Sequence, residues 1–189
     1  MGVDYLNVVK VVNTPTLRRS TMNIFALHKD PAVAAEMQCD KHIVKMPLET
    51  AQMMASAMRR QGATDIDMPL NKSGMPYGNA HPHHPCTLWA GELRSNFRWL
   101  AKHGLALCAE YTTRYGKVHA CQQAILHMTR FEEYFPGKGS VRHSPFAQAM
   151  PDEFKMPNAI DAYRRYYLTD KAKIAKWNRG RPAPDWWTV

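Results

Sequence analysis

The chain lacks the sequence signatures of several common enzyme classes. It has no Gly-rich phosphate-binding loop, no GxSxG motif, no HExxH motif and no H-x-E…CxxC deaminase signature. Each of these motifs supplies a phosphate cradle, a nucleophile or zinc ligands to its chemistry. Their absence excludes ordinary kinases, serine hydrolases, zincin proteases and zinc deaminases. Short alternating strand patterns are also nearly absent, which predicts an all-α fold.

Long apolar runs and cysteine pairs are missing as well. No apolar run reaches the ~18 residues that a membrane-spanning helix needs. The four cysteines form no CxxC pair and no zinc-ligand spacing; they are Cys39, Cys86, Cys108 and Cys121. The N-terminus lacks the charged-then-apolar order of a signal peptide. We therefore expect a soluble cytoplasmic protein with reduced thiols and no membrane partner.

The chain is instead rich in positive charge. Its 189 residues include 25 Lys and Arg against 16 Asp and Glu, which gives a formal charge of +9. Such an excess favours a polyanionic partner, and DNA is our first expectation. Near the C-terminus the basic residues alternate with aromatic ones, a mixture that contacts phosphates and stacks on bases. The predicted DNA-binding residues are Arg164, Arg165, Lys176, Arg179 and Arg181. The spacing of Tyr163 and Tyr167 favours inward packing instead.

Helical periodicity predicts one compact helical domain over residues 22–189, preceded by an N-terminal extension over residues 1–21. The domain contains a long central helix from about Leu88 to a stop at Gly116. Before this helix we predict a short helix capped by Asp30-Pro31, a helix over 40–60 that is kinked or broken at Pro47, and a loop over 62–86. After it we predict a helix over 118–134 and a last helix from an Asn158 cap to about Trp177. The tail beyond the last helix is predicted to pack back or to border a binding groove.

The helix over 40–60 carries the densest set of reactive side chains. Its pattern predicts one polar stripe containing Lys41, His42, Lys45, Glu49 and Gln52. The opposite, apolar face is predicted to contain Ile43, Val44, Ala51, Met54, Ala55 and Met58. A histidine, a carboxylate and two lysines together provide proton transfer and anion binding. The alternative is an ordinary solvated face of an amphipathic helix.

A histidine-rich loop precedes the central helix. His81, His83, His84 and Cys86 could be metal ligands, but paired prolines stiffen the segment and no second ligand pair has a recognisable spacing. We therefore expect no metal and no cofactor. His84 directly precedes a helix N-terminus, where anions are favoured, so we predict that it binds substrate phosphate.

Two residue pairs of the central helix complete the predictions, one for the site and one for its scaffold. Trp89 and Asn96 share a face, and an Asn side chain can pair with a pyrimidine edge. The alternative for Asn96 is an ordinary surface position. Glu110 and Arg114 are spaced for a structural intrahelical ion pair.

Several motifs together resemble a family of small, phage-encoded helical proteins, over most of residues 22–187. They are Met22-Asn23-Ile24-Phe25, Cys39-Asp40-Lys41-His42 with Lys45 and Glu49, His84-Pro85-Cys86 with Trp89, Asn96 and Trp99, the stretch from Glu110-Tyr111 to Lys117, 145–151 and Tyr163 to Tyr166. The chain is distantly similar to the phage pyrimidine-dimer DNA glycosylase of the endonuclease V type. That enzyme is all-helical, and its Asp-x-His followed by a Glu resembles Asp40, His42 and Glu49. The chain also resembles the amino acid:DNA transferases of thymine hypermodification.

The two resemblances imply different chemistry at one site. The glycosylase forms an imine with its own N-terminal amine beside a carboxylate, whereas here the matching segment follows residues 1–21. A transferase would attach a free amino acid, such as glycine, to an activated 5-phosphomethyl pyrimidine in phage DNA in the host cytoplasm. Catalysis would then use Glu49 or His42 as general base and Lys41 and Lys45 to stabilise the departing phosphate. Substrate contacts are predicted from Asp40, Gln52, His84, Asn96 and Trp89. We prefer transfer over glycosylase/lyase action, and non-enzymatic DNA binding is the third interpretation.

Overall fold

The computed structural model describes residues 22–189 and confirms the all-α prediction. Within that range six α-helices follow one another, and no strand forms beyond a single bridge between Leu70 and Pro76. The helices are α1 Pro31–Glu36, α2 Asp40–Arg60, α3 Pro85–Glu92, α4 Arg94–Tyr115, α5 Gln122–Met128 and α6 Ala159–Leu168. Short 3-10 turns occupy Asp65–Asp67, Thr129–Tyr134 and Asp152–Phe154. The extension predicted for residues 1–21 lies outside the described residues.

The two long helices, α2 and α4, form the centre of the molecule. They approach closely where Gly104 of α4 meets Thr50 of α2, because a Cβ at position 104 would overlap the Thr50 methyl group and lie 3.2 Å from Cδ1 of Ile125. Methionines fill much of the buried face of α2, and Met46, Met53, Met54 and Met58 are all at most 1% exposed. Flexible methionine side chains suit such an irregular interface.

The predicted bounds of α2 are confirmed. Of the kink or break predicted at Pro47, the break is wrong and the kink stays a prediction. The helix runs without interruption from Asp40 to Arg60 with Pro47 inside it. A proline removes one backbone hydrogen bond. The buried side chains of Met46 and Thr50 on either side pack into the core, and their burial offsets that loss.

The predicted central helix is two helices rather than one. Leu93 adopts an extended conformation (φ −138°, ψ 148°) that ends α3 and begins α4. The predicted stop at Gly116 is confirmed, and its left-handed φ of 67° suits glycine. The helix predicted over 118–134 is also shorter, with α5 passing into the 3-10 turn Thr129–Tyr134.

The last helix ends earlier than predicted, at Leu168 rather than near Trp177. Thr169 is non-helical, and its hydroxyl donates to the Arg165 carbonyl at 2.8 Å. The tail beyond packs back on α1 and α2. The indole N–H of Trp177 donates to the Met37 carbonyl at 3.3 Å, and the Asp40 N–H donates to the Lys176 carbonyl at 2.9 Å.

The predicted inward packing of Tyr163 and Tyr167 is confirmed, since both are fully buried. All four cysteines are free and buried. Among the helices of residues 22–189, none combines the length and apolar character required to cross a bilayer.

Candidate active site

Glu49 is a buried carboxylate with two different partners. Its side chain is only 6% exposed. Oε2 accepts a hydrogen bond from the backbone N–H of Asn23 at 2.9 Å, and Oε1 pairs with Nζ of Lys45 at 2.8 Å. The segment at residue 23 and helix α2 therefore meet at this carboxylate, although 26 residues separate the two positions along the chain.

Burial raises the pKa of Glu49, while the Lys45 ammonium and the Asn23 N–H act in the opposite direction and only partly compensate. A carboxyl group with a raised pKa exchanges its proton more readily near neutral pH. Glu49 is therefore suited to general acid–base chemistry.

Lys45 connects this buried carboxylate to the solvent. Its side chain is 50% exposed even though Nζ contacts Glu49. Lys41, one turn earlier on α2, is also exposed, and Gln52 is partly exposed. Lys45 therefore presents a positive charge beside Glu49, and Lys41 adds a second exposed cation one turn away on the same helix.

His42 occupies a different environment from the lysines. Its ring is buried and stacks on Phe25 with centroids 4.3 Å apart, and its Nδ1 shares a hydrogen bond with the Tyr167 hydroxyl. Burial lowers the pKa of His42 to about 3, helped by the positive charges of Lys171, Lys45 and Lys41. Such an imidazole is neutral and a weak base at neutral pH, so His42 is a poor general base.

The predicted stripe on α2 is therefore divided by burial. His42 and Glu49 face inward, whereas Lys41 and Lys45 face outward. One residue of the predicted apolar face, Val44, is 45% exposed. The buried Glu49 carboxylate therefore lies next to the exposed Lys45 ammonium. An evenly solvated helix face would not contain such a buried carboxylate.

Asn23 links Glu49 to a loop from the other end of the chain. Its side-chain Nδ2 donates to the Ala149 carbonyl at 2.7 Å, and its Oδ1 accepts from the N–H groups of Ile24 and Phe25. Helical periodicity gives no signal at Asn23, because residues 22–27 form no helix. Only the resemblance of the Met22 to Phe25 motif pointed to it.

A cleft of about 430 Å³ lies beside this junction. Ala149 contributes to its wall together with His84, Gln148, Lys155 and Tyr166. His84 caps α3, since its Nδ1 accepts the Cys86 N–H at 3.2 Å. Burial lowers the pKa of His84, and the nearby His81 lowers it further. His84 therefore borders the cleft as a neutral polar group, and its binding of substrate phosphate stays a prediction.

Asn96 and Trp89 are buried in the scaffold, whereas their predicted role in substrate binding requires accessible side chains. Asn96 is fully buried; its Nδ2 donates to the Trp89 carbonyl and to the Ser144 hydroxyl, and its Oδ1 accepts from the Ser144 N–H. Trp89 is 3% exposed. The alternative of a surface Asn96 is equally wrong. Because α3 ends at Leu93, the Trp89 carbonyl lies in its last turn, where the Asn96 side chain of α4 donates to it.

Asp40 is also engaged in the scaffold rather than with a ligand. Its Oδ1 pairs with the fully buried Arg114 at 3.0 Å, and its Oδ2 accepts the Asn178 N–H at 2.7 Å. The predicted ion pair between Arg114 and Glu110 is confirmed at 3.0 Å.

In the part of the chain that the structure covers, no cluster of three or more His, Cys, Asp or Glu side chains is arranged to hold a metal ion. Cys86, the last candidate ligand of the histidine-rich segment, lies in the first turn of α3 and is fully buried, and burial raises its pKa to about 12. A thiol binds metal as its thiolate, so Cys86 is poorly suited to ligation.

Residues 22–123 match the family model described as pyrimidine dimer DNA glycosylase. The chain belongs to this family. The match begins next to Asn23 and includes Glu49, so both partners of the buried contact lie within it. No curated protein and no solved structure gives a significant match. As a member of the pyrimidine dimer DNA glycosylase family, the chain is a DNA-acting enzyme.

The residues predicted to bind DNA in this glycosylase-family member divide into two groups. Arg181 pairs with Glu110 through Nη2 at 2.5 Å and Nε at 3.1 Å, and Arg164 donates to the Leu27 carbonyl at 3.0 Å. Both guanidinium groups are thus already engaged within the molecule. Arg165, Lys176 and Arg179 are exposed, with Arg179 also lying over the Tyr115 ring at 5.1 Å.

Proposed function

We propose that this enzyme transfers a free amino acid, through its amine, to an activated 5-phosphomethyl pyrimidine in DNA. The observation that carries the proposal is the contact between Asn23 and Glu49. The nitrogen facing the carboxylate belongs to the peptide bond between Met22 and Asn23, and resonance makes an amide nitrogen non-nucleophilic. A glycosylase of this family uses its own N-terminal amine beside its carboxylate, and here an amide nitrogen holds that position. A transferase obtains that amine from its amino acid substrate.

The side chains around Glu49 match the steps of such a transfer. The amine attacks the exocyclic methylene carbon, a C–N bond forms, and the C–O bond to phosphate breaks as phosphate departs with the electron pair. Glu49 accepts the proton that the amine loses, a role that its raised pKa favours. Lys41 and Lys45, both exposed, stabilise the charge on the departing phosphate.

The test is mass spectrometry of nucleosides after DNA containing 5-phosphomethyluracil is incubated with a pool of amino acids. We expect a thymidine derivative that carries the amino acid on its exocyclic methylene carbon through a C–N bond, and Glu49→Gln should lower turnover by ~10²–10⁴-fold, the usual range for loss of a general base. Glu153→Gln, which neutralises an exposed carboxylate, is the matched control. A base that stays unmodified with every amino acid contradicts the proposal.

Pyrimidine-dimer DNA glycosylase/AP lyase action is the second candidate, and the family match favours it. Release of a dimerised base or cleavage of dimer-containing DNA, without amino acid transfer, supports this candidate against the first. Turnover on DNA that is the same for Glu49→Gln and the parent protein would contradict both candidates, because each needs the carboxylate.

A further inference from the structure

We propose that the cleft between the starts of helices α1 and α4 binds a phosphate group, with the Ser95 hydroxyl as one of its donors. Among the described residues, those that line this cleft form no hydrogen bond or ion pair with Glu49 or Lys45. The inference concerns binding alone and goes beyond the proposed function, which needs no group in this cleft. The phosphate can belong to the DNA backbone or be free inorganic phosphate, and the test distinguishes these two sources.

The cleft has a volume of about 400 Å³. Ser95, Trp99 and Lys102 of α4 line it together with the first residues of α1. The indole N–H of Trp99 donates to the Lys29 carbonyl at 2.8 Å, and this bond holds the start of α1 against α4. A cleft of this volume has room for a phosphate group and part of a nucleotide that carries it.

Ser95 carries a buried hydroxyl that the protein leaves unpaired. The residue is only 6% exposed, and its Oγ has no hydrogen-bond partner among residues 22–189. Buried polar groups without a partner are rare, because their desolvation costs free energy that no hydrogen bond returns. Since Ser95 lines the cleft, rotation about its Cα–Cβ bond can direct the hydroxyl toward a ligand oxygen. A ligand in the cleft would supply the partner that the fold does not.

The position of Ser95 in α4 favours an anionic ligand. Ser95 is the second residue of this 22-residue helix, whose N-cap residue Leu93 provides no side-chain hydrogen bond. The first turn of α4 contains no acidic residue either. The N-terminus of a helix has a partial positive charge and backbone N–H groups without an intrahelical acceptor. An oxyanion beside Ser95 can accept hydrogen bonds from this end of the helix and from the hydroxyl together.

Lys102 adds a full positive charge to the same cleft. It is exposed and forms no ion pair with any residue in the range 22–189. The acidic groups nearby are already engaged: Glu132 accepts two hydrogen bonds from Arg98 at 2.9 and 2.8 Å, and Oδ1 of Asp30 accepts two backbone N–H groups of α1. A tetrahedral phosphate has enough acceptor oxygens to contact the hydroxyl, the helix end and the Lys102 ammonium at once.

The test is a titration of the ¹⁵N-labelled full chain with inorganic phosphate at constant ionic strength, followed by NMR of the backbone amides. We expect the amide signals at the start of α4 to shift and to yield a dissociation constant. Ser95→Ala should raise this constant ~10-fold or more, because a hydrogen bond to a charged group is lost. Lys102→Gln should raise it by a smaller factor, because an exposed charge is screened by water. Ser73→Ala and Lys117→Gln, both at exposed positions, are the matched controls and should bind like the parent protein.

Thermal melting of Ser95→Ala separates binding from folding. The substitution removes a hydroxyl that has no partner in the fold, so the variant should be at least as stable as the parent protein. A large drop in its melting temperature would show that the hydroxyl is paired within the folded chain. That result would contradict the inference.

A second titration, with an unmodified DNA duplex, distinguishes the two sources of phosphate. A backbone phosphate is the ligand if the duplex shifts the same amide signals and Ser95→Ala weakens its binding. Free phosphate is the ligand if only the inorganic ion shifts them. The inference is overturned if neither probe shifts the signals at the start of α4, or if Ser95→Ala binds phosphate like the parent protein. Amino acid transfer without phosphate binding here would leave the proposed function standing.

Discussion

Arg114 of α4 donates to Asp40 of α2 at 3.0 Å through a guanidinium group that is completely buried. The same group donates to the carbonyls of Gln38 and Glu36 at 2.9 and 2.8 Å. These bonds fix the start of α2 against the end of α4. Since Glu49 lies nine positions beyond Asp40 on the same helix, they also help to set where the buried Glu49 carboxylate stands.

Removing this buried guanidinium should be costly. Arg114→Met leaves Asp40 and three backbone or carboxylate acceptors without their donor, so we expect a loss of about 3–5 kcal/mol in the free energy of unfolding. Arg181→Met is the comparison, because Arg181 also pairs with Glu110 but is 35% exposed. Its loss should be about 1 kcal/mol or less. Urea unfolding of both variants measures the difference, and equal losses would show that burial does not govern these pairs.

A second prediction concerns the crossing of α2 and α4. Gly104→Ala should lower the free energy of unfolding by about 1–3 kcal/mol, because its Cβ would overlap the Thr50 methyl group. Gly91→Ala is the control: a Cβ there has its nearest neighbour at 3.8 Å, and alanine favours a helix over glycine by up to about 1 kcal/mol. Adding Thr50→Ser to Gly104→Ala should restore part of the loss. Thermal melting of these three variants and the parent protein tests this, and a harmless Gly104→Ala would contradict the close approach.

The sequence predicted local features well, because their causes are local. The Asp30 cap, the bounds of α2 and the glycine stop of α4 follow from residues within a turn or two of each boundary. Periodicity also identified α2 as the helix that carries reactive side chains. It could not tell which members of the stripe are buried, because the burial of His42 depends on Phe25 and Tyr167, far away in the sequence.

The missed features of the site depend on long-range contacts. Arg181 was predicted to bind phosphate, but Glu110, 71 residues away, engages it. Asn96 was assigned to substrate recognition, but Ser144 and the break at Leu93 bury it in a satisfied hydrogen-bond network. A sequence pattern shows which groups can pair. Only the three-dimensional arrangement shows which of them are already paired.

DNA binding should depend steeply on salt, with the exposed C-terminal cations contributing most. We expect replacement of Arg165, Lys176 and Arg179 by glutamine to reduce the slope of log Kobs against log salt by about 0.9 for each phosphate contact removed. Lys138→Gln, at an exposed position outside this group, is the control. Fluorescence anisotropy between about 50 and 200 mM salt measures the slopes. Affinity that does not change over this range would argue against a phosphate-contacting surface.

Stability should fall as the pH is lowered, because two buried histidines resist protonation. Burial lowers the pKa of both His42 and His103 to about 3, whereas in the unfolded chain each should titrate near its ordinary value of 6.5. Between these values the unfolded chain binds a proton that the folded chain does not. Each histidine therefore contributes stability that is fully present above pH 6.5 and is lost as the pH falls toward 3. The expected slope is about 1.4 kcal/mol per pH unit for each.

Urea unfolding between pH 7 and 4, compared for the parent protein and His103→Gln, tests this linkage. The variant should lose one histidine's share of the slope, about 1.4 kcal/mol per pH unit, whatever its stability at pH 7, because glutamine does not titrate. His83→Gln is the control, since His83 is exposed in the loop before α3 and should leave the slope unchanged. Equal slopes in all three proteins would mean that His103 takes up its proton in the folded state and would contradict the prediction. Protonation of the folded state is unfavourable because the His103 ring is completely buried against Trp99.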